Sequence, residues 1–262
     1  MTQFRFSATT SALTRLAGAL IVAGSLSIAA SAGHAETPEF SGNVTYTTDY
    51  RFRGISQGDR SQALQGGFDI ELESGLYAGT WASNVTFSGA AIEVDYYAGF
   101  AGAFNEDIEY DVGVLWYNYP EDDAPPRGGE SIDLDYVEIY GSVSMAGGTV
   151  GLAISPDYFA ETGDFIYLYG EYGFELAENV SLDLHLGWNL FDSDSEFATF
   201  IGPGAGEDPG KDYIDYSVGV STSYVGLDFS AAFIGTDLSK SECFAGTKLC
   251  NDTVVLSVSR SL

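Results

Sequence analysis

Cations are scarce in this chain. Its 262 residues hold 10 Lys and Arg against 38 Asp and Glu, a formal net charge of -28. So few cations cannot neutralise a run of phosphates, which excludes nucleic acid as a partner class. The acidity favours cationic partners. Histidine is almost absent too: His34 sits in the N-terminal stretch, which leaves His185. A nucleophile needing a positioned base has that one imidazole to draw on, and no G-x-S-x-G is present. Cysteine stops at Cys243 and Cys250, in "CFAGTKLC". Two thiols without a third Cys or a nearby His cannot complete a zinc site. In an oxidising compartment they are expected to form a disulfide. Long apolar runs are missing as well, so no segment is expected to cross a membrane as a helix.

The first residues read as a leader. "MTQFRFSATTSALTR" carries Arg5 and Arg15 and no acid, and the apolar "LAGALIVAGSLSIAA" and the small-residue "SAGHA" follow. That order describes a secretory signal peptide over residues 1–35. Cleavage is expected after Ala35, with Ala32 the alternative. The remainder, 36–262, reads as one domain.

Period-two alternation is what the rest of the chain has in quantity. In "VSLDLHLGWNL", Val180, Leu182, Leu184, Leu186, Trp188 and Leu190 share one face, and Ser181, Asp183, His185, Gly187 and Asn189 the other. Ile92, Val94, Tyr96, Ala98 and Phe100 likewise oppose Glu93, Asp95, Tyr97, Gly99 and Ala101. Twelve strands are predicted, at about 42–53, 62–72, 76–86, 91–104, 107–119, 132–145, 148–155, 165–175, 179–190, 212–222, 225–235 and 252–262. Tight connections ("ESG", "NED", "AGG", "LAEN", "SYV") alternate with long polar ones, and only the link near "FSGA" breaks the pattern. An even number of strands joined this way describes an all-β, 12-stranded antiparallel transmembrane β-barrel.

Lipid offers the backbone no hydrogen-bond partners, so a sheet crossing it must close on itself. Its outer face is apolar and its inner face polar, which makes each strand half hydrophobic. A soluble sandwich or lipocalin-like barrel also alternates. There, however, the apolar set would have to fill an interior, and here that set is rich in large aromatics.

Several stretches carry a family resemblance. "SGNVTYTTDYRFRGISQ", "ALQGGFDIELESGLYAGTWASNV", "EVDYYAGF", "YDVGVLWYNYP", "DYVEIYGSV" and the terminal "LSVSRSL" resemble the Gcw_chp family, conserved hypothetical proteins of proteobacterial outer-membrane type. The resemblance spans about residues 41–262. It implies an exported β-barrel and supplies no activity and no catalytic residues. The last residue is Leu262, where outer-membrane barrels usually end in an aromatic.

Alternation assigns an interior set: Asp49, Arg51, Arg53, Asp69, Glu71, Glu93, Asp95, Asp111, Glu138, Glu171, Asp183, His185, Asp215 and Asp228. A charge facing lipid at mid-bilayer costs about 2–4 kcal/mol for Arg and less for Asp or Glu, so these are expected to point inward. Tyr97, Tyr117, Tyr136, Tyr140, Tyr167 and Tyr169 are expected to add hydroxyls and bulk. Within the first strand, Tyr50 and Phe52 are expected to face lipid, with Arg51 and Arg53 between them facing the acids inside.

The expected function is a small outer-membrane pore with an acidic, cation-preferring lumen, in contact with lipid and lipopolysaccharide and passing small cationic or polar solutes. The competing readings are a plugged barrel with a structural or surface-binding role and a lipid-acting enzyme using His185. Asp192, Asp194 and Glu196 in "DSDSE", with Glu121, Asp122 and Asp123, raise calcium, but the EF-hand glycine and distant glutamate are missing. They are expected to be solvated loop charge. "GPGAG" has no helix following it to bind phosphate. No cofactor or metal is expected. N-terminal sequencing of the exported protein checks the leader: the first residue should be Glu36, Gly33 would move the cut to Ala32, and Met1 would refute cleavage.

Overall fold

The structure, a computed structural model, describes residues 37–87, 89–120, 132–202 and 210–262. The expected leader lies outside these residues, as do Glu121, Asp122, Asp123 and most of "GPGAG". Twelve strands build the wall: β1 (Glu39–Thr47), β4 (Ala63–Glu71), β5 (Leu76–Phe87), β6 (Ala90–Ala103), β7 (Ile108–Asn118), β8 (Tyr136–Met145), β9 (Gly148–Ser155), β10 (Phe165–Ala177), β11 (Val180–Phe191), β12 (Asp212–Tyr224), β13 (Leu227–Thr236) and β14 (Thr253–Ser261). Each is antiparallel to its neighbours in sequence. Closure comes from β1, which pairs β4 along Glu39–Thr47 and β14 from Asn43 to Thr47. Every wall strand thus has two partners, as a sheet in hydrocarbon requires.

Alternation sorts the side chains as expected. Leu64 and Phe68 are 63% and 71% exposed on the outside, while Gln65 between them is 2% exposed. Leu186 and Trp188 point out where Asn189 is fully buried. The aromatics Tyr46, Trp116 and Trp188 all lie on this outer face. Among the described residues no helix is long and apolar enough to cross a membrane, which leaves the strands to do so.

The first strand departs from the sequence reading. Wall pairing stops at Thr47, and the chain then turns into the barrel. Residues Arg51–Phe52 (β2) and Ile55–Ser56 (β3) form a separate two-stranded hairpin. Its two-residue tip is Arg53 and Gly54, both at positive φ (46° and 81°), as a type I′ turn demands. Tyr50 is buried and Phe52 half-buried, so neither faces lipid. They go on alternating past Thr47 although they have left the wall, and period-two reading has no means to see that exit.

A second element was not expected. Residues Asp194–Ile201 form a helix, α1, in the β11–β12 connection. Ser193 caps it: its hydroxyl accepts from the Glu196 amide, and the Glu196 carboxylate accepts from the Ser193 amide. The Asp194 and Glu196 charges therefore sit at a helix N-terminus, where they offset its dipole, rather than in a free loop. Phe197 and Ile201 are fully buried against the barrel interior. The Cys243–Cys250 disulfide forms as expected, in the β13–β14 connection, and is buried in the same cluster.

Inward tyrosines lie flat over glycines of neighbouring strands. A Cβ built on Gly79 would enter the Tyr97 ring, one on Gly113 the Tyr140 ring and one on Gly151 the Tyr169 ring. At Gly99 it would meet Tyr77 and stand 2.6 Å from the Val112 carbonyl oxygen. The wall can thus carry rings without filling its bore. Gly99→Ala should cost about 1–3 kcal/mol by overpacking. Gly141→Ala, whose Cβ would have its nearest atom at an ordinary 3.5 Å, should be close to neutral. Heat-modifiable migration on gels, with urea unfolding in lipid vesicles, reads both.

Candidate functional site: a closed lumen

The interior divides into two halves along the axis. Toward the long connections it is packed solid. The β2–β3 hairpin, α1 and the disulfide loop all fold inward there, and Tyr50, Tyr117, Tyr136, Tyr158, Phe165 and Phe191 join them in one buried cluster. Tyr117 stacks on Tyr136 at 4.3 Å and Tyr158 on Phe165 at 3.9 Å. Backbone bonds tie the plug down: Ser56 N donates to Leu249 O (3.0 Å), and Thr86 N to Gln57 O (2.8 Å).

The two arginines inside this packing are paired. Arg53 Nη2 donates to Glu138 Oε1 at 2.7 Å, and both side chains are 0% exposed. The Tyr117 hydroxyl donates to the other oxygen of Glu138 at 3.1 Å. Arg53 Nη1 also donates to the Tyr158 hydroxyl at 3.3 Å. Burial pushes the Tyr158 phenol up to about 12, so it stays neutral beside the guanidinium. Arg51 Nε pairs with Asp49 Oδ2 at 2.7 Å, and its Nη1 donates to the carbonyls of Gly54, Leu249 and Asn251. Ser56 donates to the second oxygen of Asp49 at 2.6 Å. Arg51 thus fastens the hairpin to the disulfide loop, while Arg53 fastens it to the wall.

The remaining expected interior residues divide between the halves. Glu93 lies in the plug and accepts from the Tyr50 hydroxyl at 2.7 Å. Asp95 is buried beside it, with Oδ1 lacking a partner among the described residues. Toward the tight turns the interior is more open. There Asp69 accepts from the Tyr97 hydroxyl and Asp111 from Tyr77 (2.6 Å), whose hydroxyl also meets that of Tyr140. Asp183 accepts from Ser221 at 2.6 Å. Asp228 accepts from Ser223 and is exposed, as is Glu71. The side chains expected to line the interior do not form one continuous surface, because those from 49 to 56 belong to the plug rather than to the wall.

His185 sits where the halves meet. Its Nδ1 is 2.9 Å from Glu171 Oε1 and its Nε2 2.9 Å from Asp215 Oδ1, with the Tyr167 hydroxyl also 2.9 Å from Nε2. Asn189 Nδ2 donates to the second oxygen of Asp215 at 2.8 Å. Both ring nitrogens are engaged by carboxylates, so neither is free to take a proton from a nucleophile. Among the described residues, no group of three or more His, Cys, Asp or Glu is placed to hold a metal ion.

Sequence reasoning missed the hairpin turn and α1. Arg53-Gly54 and the Ser193-to-Glu196 capping box were the signals that could have found them.

Gly54 offers a way to lift the plug without touching a charge. Its φ is +81°, and a Cβ there would stand 2.7 Å from Gly235 O and 3.0 Å from Asp215 Cβ. In folded wild type, trypsin should cut after the exposed Arg60 and spare the buried Arg51 and Arg53. Gly54→Val should expose all three, as fragment masses would record. An unchanged pattern would mean that the hairpin does not depend on this contact.

Comparisons with known proteins agree on the architecture. The pattern of the Gcw_chp family, described as bacterial protein of unknown function, matches residues 31–262. No curated protein matches the sequence. Among solved structures, the KdgM porin superposes with a TM-score of 0.52 at 10% identity, covering 85% of this chain and 99% of that one. A structure of the KdgM porin in complex with disordered oligogalacturonate gives 0.53, also at 10% identity, with the same coverage. The NanC porin gives 0.48 at 8% identity, covering 84% of this chain and 98% of that one.

Proposed function

The chain belongs to the Gcw_chp family, and we propose that it is a porin-like outer-membrane channel, exported through a cleaved leader, closed at its outer mouth by its own first loop and selective for cations. The observation that carries this reading is the bookkeeping of charge in the lumen. Arg51 is paired with Asp49 of the plug and Arg53 with Glu138 of the wall, at 2.7 Å each. The more open half keeps Asp69, Asp111, Glu171 and Asp183 with no Lys or Arg among the described lumen residues. Carboxylates lining a low-dielectric bore lower the energy of an entering cation and raise that of an anion. The long connections are taken as the outer side, as in bacterial outer-membrane barrels generally.

The superposed KdgM porin was solved with oligogalacturonate, a polyanion. This acidic vestibule argues for the opposite preference here: small cationic or neutral polar solutes. The pinned imidazole of His185 supports a structural place for that residue and speaks against a lipid-acting enzyme. A second reading, a barrel that never conducts, is favoured by the Arg53–Glu138 pair, whose two side chains are 0% exposed.

Planar-bilayer recording separates the two. The channel reading expects small, infrequent steps from wild type and a reversal potential on the cation side in a KCl gradient. Asp111→Asn with Glu171→Gln should shift that potential toward zero. Reversal on the anion side would overturn the selectivity. Silence from both wild type and Gly54→Val would favour the permanently plugged barrel.

A further inference from the structure

Arg53 occupies a cage that is made mostly of other parts of the molecule. Its guanidinium carbon lies 4.2 Å from the Tyr167 ring centroid, 4.9 Å from Phe165, 5.6 Å from Tyr158 and 4.7 Å from Phe52. Glu138 closes one end at 2.7 Å, and the Tyr117 hydroxyl holds that carboxylate in place. Only Phe52 travels with the hairpin. Glu138, Phe165 and Tyr167 are wall residues on β8 and β10, Tyr117 is on β7, and Tyr158 belongs to the β9–β10 connection. Were the hairpin to withdraw, a carboxylate among three aromatic faces would remain in the lumen. Two further features mark the arginine as an inserted head rather than part of the wall. It is delivered from a turn whose φ of 46° an L side chain rarely adopts. Its buried Nε has no partner among the described residues, so the cage fits the far end of the group and not its stem.

We propose that this cage is a binding site for guanidinium-bearing solutes, and that Arg53 is its built-in competitor. The chemistry selects the class. A planar, weakly hydrated guanidinium stacks on aromatic rings and meets a carboxylate with its N–H edge, whereas a compact ammonium stays strongly hydrated. The hairpin presents Arg53 to the cage at an effective concentration on the order of millimolar, as a short tether does. A free guanidinium solute at comparable concentration displaces it and loosens the plug. The role in passage rests on the channel reading above; the site itself rests on the cage alone.

The test uses the full mature chain, folded in detergent, with methylguanidinium as probe and methylammonium as control. Calorimetric titration of Arg53→Ala, its fold verified by heat-modifiable migration, should show methylguanidinium binding at millimolar concentration. That binding should be about tenfold tighter than methylammonium, by the hydration argument, and tighter than to wild type. Adding Glu138→Gln should abolish it. Absence of binding to Arg53→Ala, or equal affinity for the two probes, overturns the site. Should Arg53→Ala not fold, Arg53→Lys takes its place: displacement of the lysine by methylguanidinium supports the site, and no binding overturns it. Binding with silent bilayers would remove the channel and leave the site standing. Conductance without binding would do the reverse.

Discussion

Hydrocarbon cannot hydrogen-bond to a peptide group, and the rest of the structure depends on that constraint. It forces β1 to pair with β14 and so closes the sheet. Closure in turn creates an interior whose only outlets are at its two ends. The chain then has to solve a packing problem inside. It solves it on the turn side with tyrosines laid over glycines, as at Gly99 and Gly113, where a Cβ would collide with the ring. On the other side it brings in the β2–β3 hairpin, α1 and the disulfide loop, which fill the bore.

Two arginines in so acidic a chain are accounted for by that filling. A carboxylate as deeply buried as Glu138 is expensive without a partner, and breaking such a pair by removing one member typically costs about 3–5 kcal/mol. Arg53 supplies the partner, and the rings around it supply the faces on which its guanidinium rests. Arg51 does related work two residues earlier, holding Asp49 and three carbonyl oxygens. The hairpin is therefore fastened by charge at both its base and its tip, packed by Ile55 between them and by Tyr50 just before it.

Much of the barrel was legible because lipid and lumen impose a period of two. Leu186 and Trp188 alternate with His185 and Asn189 in the sequence as they do across the wall. The tight turns at Ala146-Gly147 and Val225-Gly226 were visible as the short links "AGG" and "SYV" between alternating runs. What period-two reading could not see was where alternation stops meaning wall. Tyr50 and Phe52 keep the rhythm of Tyr46, yet they pack inside. Alternation assigned acids such as Glu138 and Asp111 to the inner face, but whether an inward carboxylate meets water or an arginine depends on loops whose course alternation does not describe. Glu138 and Asp111 look alike in sequence; one is sealed against Arg53, and the other takes a tyrosine hydroxyl in the open half.

The central claim is that the first loop lies inside the barrel, with Arg53 sealed onto Glu138. A double-mutant cycle measures that contact directly: Arg53→Ala, Glu138→Ala and the double variant, each unfolded by urea in lipid vesicles. The account predicts that either single change destabilises the barrel strongly and that the double change costs less than the sum of the two, by a coupling of about 1–3 kcal/mol. Additive losses, with coupling near zero, would contradict it and would put Arg53 outside the lumen.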